Sequence, residues 1–123
     1  NEEQMNDNLN IFADFKPLTD SEKDVITKVT KMMKELALVP CTACRYCVDG
    51  CPSAIEIPEI FKALNAKRTF PTDNRPIFVY GSLVDRGSGK ASSCLECGQC
   101  EEVCPQHLNI IELLKEAAEK LEK

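Results

Sequence analysis

The sequence predicts an all-α chain organised around two loops of cysteine. Two runs, PCTACRYCVDGCP at 40–52 and SCLECGQCEEVCP at 93–105, share the spacing C-x2-C-x2-C-x3-C-P. Positions 52–93 separate them, 42 residues, which is room for secondary structure of its own. Within that spacer the apolar residues recur at helical intervals rather than alternating as they would in a half-buried strand.

Each element has its own signal. In MNDNLNIFADF, Met5, Leu9 and Phe12 share one helical face. Thr19 and Glu22 form a capping-box pattern, followed by a one-faced stripe of Val25, Ile26, Val29, Met32, Met33 and Leu36. Such methionines read as packing residues, not metal ligands. After the first cysteine run, Ile57, Ile60, Phe61 and Leu64 follow helical spacing, with Pro58 suited to a first turn. TFPTDNRP reads as a breaker-rich loop. Residues 76–85 predict another helix through Ile77, Tyr80, Leu83 and Val84, although Gly81 interrupts it and IFVY favours a strand. DRGSGKASS is a flexible approach to the second run. At the far end Ile110, Leu113, Leu114, Ala117 and Leu121 repeat the stripe.

The chain has 123 residues and a formal charge of −5, which disfavours nonspecific nucleic-acid binding because that requires a basic surface. The charge is uneven: eight acidic and five basic side chains in 1–40, five and seven in 41–90, seven and three in 91–123. The longest apolar stretch, IFVYGSLV, is far short of a membrane span. No stretch reads as an export signal, so a cytoplasmic setting is expected. The first residue is Asn1, which fits a piece processed or excised from a longer protein.

The eight cysteines admit four chemistries. A disulfide scaffold belongs to exported, loop-rich chains, and the long Lys/Glu-rich helices here are unlike one. Structural zinc uses four tetrahedral ligands, commonly as two separated pairs, and leaves the third evenly spaced cysteine of each run without a task. A thiol redox site needs only one C-x-x-C. The run C-x2-C-x2-C-x3-C-P is that of a [4Fe–4S] ferredoxin. Thiolates at every third residue of a tight loop reach three corners of a cube. The x3 step and the following proline, which biases the preceding residue toward extended backbone, carry the fourth thiolate away. Two clusters are therefore expected, one on Cys41, Cys44, Cys47 and Cys104, the other on Cys94, Cys97, Cys100 and Cys51. The single histidine, His107, is expected at the surface or at a helix start, since cysteines fill every ligand position. Tyr46 is placed either against a cluster or in solvent. Arg45 either softens a cluster's charge or is simply solvated.

The pieces FADFKPLTDSEKDVITKV, VPCTACRYCVDGCP, IPEIFKALN and CLECGQCEEVCPQHLNIIELLKE cover most of the chain. Through them the chain resembles the C-terminal iron–sulfur part of the cluster-containing aldo/keto reductases of anaerobic bacteria and archaea. The resemblance implies an α-helical ferredoxin-like domain, residues 40–123, reached through a helical arm, residues 1–39. It also implies a (β/α)8 barrel in cis that binds a nicotinamide cofactor, and a redox partner protein. No barrel is in this sequence. The family's catalytic tyrosine, lysine, aspartate and histidine therefore have no counterparts to carry over, and only the eight cysteines transfer. The expected role is an electron-transfer module of an oxidoreductase without a catalytic site of its own. A free-standing dicluster ferredoxin and a structural docking domain held together by its clusters are the competing readings.

Overall fold

The computed structural model describes residues 1–13 and 15–123. The chain divides into two compact units, Asn1–Glu35 and Leu36–Lys123.

The first unit holds α1 (Glu2–Ala13) and α2 (Asp20–Glu35). α2 begins at the predicted capping box: the Thr19 N–H donates to Glu22 Oε2 at 2.8 Å, and the Glu22 N–H donates to Thr19 Oγ1 at 3.4 Å. That reciprocity satisfies two donors that a helix start leaves without partners. No described residue of this unit is buried; Met5, Leu9, Phe12, Val25, Val29, Met32 and Met33 all stand exposed.

The second unit contains α3 (Tyr46–Asp49), α4 (Ile57–Thr69), α5 (Arg75–Asp85), a 3-10 turn (Ala91–Ser93), α6 (Gln99–Glu102) and α7 (Ile110–Leu121). The described residues contain no strand. α4 packs against both α5 and α7, and the short helices α3 and α6 meet each other. In this unit, unlike the first, the predicted stripes turn inward. Ile57, Ile60, Phe61 and Leu64 are buried on α4, as are Ile110, Leu114, Ala117 and Leu121 on α7, with Leu113 half-buried at the edge. Burying side chains of this size contributes about 1.5–3 kcal/mol each.

The segment with mixed signals, residues 76–85, is helical. Pro76 sits in its first turn, where a missing N–H costs nothing, and Tyr80 is buried while Phe78 and Val79 face outward. α4 and α7 are cross-braced at one end. Arg68 donates to Glu116 and also to the Ala37 carbonyl, and Lys120 donates to the same Glu116 carboxylate at 2.7 Å. These cations hold Glu116 down at a pKa of about 2, with the Arg68 hydrogen bond the main cause.

Candidate metal centres

The two cysteine loops have the same backbone. Cys41 maps onto Cys94 by a step of 53 residues, and the step continues through Cys51 to Cys104 and from α4 to α7. Ala43 and Glu96 have φ of 55° and 54°, Arg45 and Gly98 have 69° and 80°, and Ala54 and His107 have 51° and 49°. Only one of these six positions is glycine. Five side chains are held in the left-handed region, which costs energy and persists only where the surroundings fix the loop. The hydrogen bonds repeat as well. The Val48 N–H donates to the Arg45 carbonyl, as Glu101 does to Gly98, and Cys51 N–H donates to Val48, as Cys104 does to Glu101.

This backbone frames two hollows of equal size, each about 20 Å³. Cys41, Cys44, Cys47 and Cys104 line one; Cys51, Cys94, Cys97 and Cys100 line the other. Three cysteines of a run share a hollow, and the fourth lies in its partner's. The remaining walls are mainly apolar: Pro58, Phe61, Leu108 and Ile110 in the first, Ile55, Ile111 and Leu114 in the second. Ile57, buried to 1% exposure, lines both, so its side chain is a wall common to the two sites.

Each run is also pinned by its own long helix. The Asn65 side chain of α4 accepts from the Val39 N–H at 2.7 Å and donates to the Val39 carbonyl at 2.9 Å, fixing the segment that leads to Cys41. In the second half the task falls to Glu122, just past α7. It accepts from the Ser92 N–H at 3.0 Å and from the Tyr80 hydroxyl at 2.5 Å, fixing the turn that leads to Cys94. Burial pushes the Tyr80 hydroxyl well above its usual range, and it also accepts from the Ala91 N–H. Ser53 and Gly89 close the remaining gap. Ser53 Oγ donates to the Ser93 carbonyl at 2.7 Å, and the Gly89 N–H donates to the Ala54 carbonyl at 2.9 Å.

All eight cysteines are free thiols. Burial pushes Cys47 up to about 11, with Cys41, Cys44 and Cys104 adding their own repulsion. Burial also takes Cys100 to about 11, and there the next cause is the Glu101 carboxylate. At neutral pH both are protonated until a metal displaces the proton, so metal binding here releases protons. Among the described residues no three His, Cys, Asp or Glu side chains converge on a point that would hold a single ion. Four cysteines and mainly apolar walls line each hollow, and four thiolates are what a [4Fe–4S] cube takes, so the residues present fit a cluster in each. Backbone donors already point at three sulfurs: Ala43 N–H to Cys41 at 3.5 Å, Glu96 N–H to Cys94 at 3.4 Å, and Ile55 N–H to Cys51 at 3.5 Å.

The other singled-out residues fall around the hollows. Tyr46 lines the first hollow yet is 66% exposed. Arg45 also lines it and is held by Glu56, 2.8 Å from Oε2, so its charge is paired. His107 is exposed and serves the loop through its N–H, which donates to the Cys104 carbonyl. A much larger open groove, about 1000 Å³, is lined by residues such as Lys67, Arg68, Asn74 and Lys120 and by no cysteine. Of its cations, Arg68 and Lys120 are held by Glu116 and Lys67 by the Asp73 carbonyl. The chemistry belongs to the small hollows.

A family model described as a 4Fe-4S dicluster domain matches residues 40–109, more than half of the chain. No curated protein and no solved structure gives a match.

Proposed function

The chain belongs to the 4Fe-4S dicluster domain family, and on that premise we propose that it is the electron-transfer module of an oxidoreductase. The observation that carries this reading is the pair of equal, mainly apolar, four-cysteine hollows that share Ile57 as a wall. Cys41, Cys44, Cys47 and Cys104 would hold one cluster, and Cys94, Cys97, Cys100 and Cys51 the other. Clusters of this type supply reversible one-electron chemistry. The protein's part is to fix the thiolates, exclude water with Ile57, Phe61 and Leu114, and keep the two sites adjacent. Exposed Cys44 and Cys97 give each site an edge near solvent for exchange with a partner.

Two settings are consistent with such a module. The exposed apolar faces of α1 and α2 favour attachment to a larger enzyme, in line with the resemblance to aldo/keto reductases, where a barrel in cis would bind the nicotinamide cofactor. The second unit, by contrast, has its own core, and the family match begins at residue 40; this favours a free-standing ferredoxin acting on a separate redox partner. A cytoplasmic setting suits both, since cysteines not paired as disulfides belong to a reducing compartment. No helix among the described residues is long and apolar enough to cross a membrane.

Iron and acid-labile sulfide analysis of anaerobically prepared protein tests the proposal. Two clusters per chain, with visible absorbance that bleaches on dithionite addition, are expected. A sample reconstituted with iron and sulfide that binds only zinc would overturn it. A structural role alone would leave clusters that do not reduce reversibly.

A further inference from the structure

We propose that Glu101 is a tuning residue that makes the Cys51–Cys94–Cys97–Cys100 site the harder of the two to reduce, so that a single electron given to the pair rests at the Cys41–Cys44–Cys47–Cys104 site. This rests on the dicluster reading. One electron is taken from a one-electron reductant, with no bond made or broken at the protein.

The 53-residue step allows a charge-by-charge comparison. Asp49 and Glu102 occupy matching exposed positions and cancel. The Lys62–Glu59 pair of α4 recurs as Lys115–Glu112 on α7 and cancels. The first site adds Arg45 and Glu56, which neutralise each other, where the second has Gly98 and Asn109. The second site adds Glu96 and Glu101 where the first has Ala43 and Val48. Glu96 is exposed and shares Lys115 with Glu112, so water and the lysine screen it. Glu101 is half-buried, directly follows Cys100, and makes no ion pair among the described residues.

Its place is fixed by local geometry. Glu101 Oε1 accepts from the Ile111 N–H at 2.9 Å, and Ile111 lines the second hollow. In the first half the position matching Ile111 is Pro58, which has no N–H to satisfy, and apolar Val48 suffices opposite it. The second half thus has a free donor in the first turn of α7, and a carboxylate answers it beside the cysteines. A fixed negative charge near a cluster opposes adding an electron, and net charge is one of the terms that set cluster potentials. The extra N–H donor on Cys51, from Ile55, acts the other way, but as a long dipolar contact against a full charge.

The test is a potentiometric titration, by dithionite with mediators and followed by EPR, of the full chain reconstituted anaerobically. Repulsion between two like-charged sites would itself split the two reduction steps, so the identity of the low step is what matters. Glu101→Gln keeps the acceptor for Ile111 and removes the charge. It is expected to raise the low-potential step and leave the high one in place. Glu102→Gln, at an exposed and matched position, is expected to move it less. Cys97→Ser is expected to alter the low step. The proposal is overturned if Glu101→Gln moves neither step or moves the high one, if Glu102→Gln has the larger effect, or if Cys97→Ser alters the high step. Analysis showing fewer than two clusters in wild-type protein would instead defeat the dicluster reading on which it rests.

Discussion

The half from Cys41 to Thr69 and the half from Cys94 to Leu121 reach one backbone by different residues. Both hold a cysteine loop with three left-handed positions, a single helical turn and a long helix. Yet Asn65 does for the first what Glu122 and Tyr80 do for the second, and Phe61 fills the space that Leu114 fills. The cysteine spacing and loop conformation repeat closely. The packing and charge around them do not. What the two sites need in common is set by the ligand loop; what distinguishes them is set by the second layer of residues.

The comparison breaks most visibly at Ile57. It walls both hollows, whereas its counterpart Ile110 walls only the first. Ile57→Ala is expected to lower stability by about 2–5 kcal/mol and to disturb the spectra of both sites. Ile110→Ala is expected to cost a comparable amount and disturb one. Denaturant unfolding together with EPR of the reduced protein distinguishes the outcomes.

Next in size is the Glu116 brace, which has no match in the first half, where Ala63 stands. The folded pKa, about 2, lies below the ordinary 4.5. The stabilisation is therefore present above pH 4.5 and is lost as pH falls toward 2. Allowing for solvent screening at this partly exposed site, it is about 2 kcal/mol at neutral pH. Glu116→Gln is expected to lower the denaturant midpoint at pH 7 and to converge with wild type as both are taken to pH 2.5.

Gly89 serves only the second site. A Cβ there would lie 2.0 Å from the Ser53 carbonyl oxygen. That oxygen belongs to backbone and cannot swing aside. Gly89→Ala is expected to cost about 1–3 kcal/mol and to perturb the site containing Cys51 while leaving the other unchanged. The smallest effects belong to the pins. Asn65→Ala and Tyr80→Phe each remove partners of backbone groups, worth about 1–2 kcal/mol. The first is expected to loosen the Cys41 site and the second the Cys94 site, read as separate changes in cluster loss on exposure to a chelator.

The sequence carried the parts that depend on period and spacing. The stripes on α4 and α7, the capping box at Thr19 and the cysteine repeat were legible because each is a local pattern with a local cause. Residues 76–85 were ambiguous because β-branched and aromatic propensity competed with helical spacing, and burial of Tyr80 in the core decided for the helix. The left-handed positions at Ala43, Arg45 and Glu96 carried no signal, since none is glycine and the loop imposes them. Asn65, Glu122 and Glu101 were equally silent: ordinary polar residues acquire a role only when a tertiary contact brings a backbone donor to them. That the repeat extends through α4 and α7 was also hidden, because past the cysteines the halves share few identities.

The exchange of the fourth cysteine between runs is the account's central claim, and paired substitution tests it most directly. Cys47→Ala and Cys51→Ala are to be compared by EPR after reduction of protein reconstituted under anaerobic conditions. Cys47→Ala is expected to alter the signal of the cluster shared with Cys41 and Cys44, whereas Cys51→Ala alters the other, the same one that Cys97→Ala alters. If Cys47→Ala and Cys51→Ala both damage one signal and spare its neighbour, each run holds its own cluster and the account is contradicted.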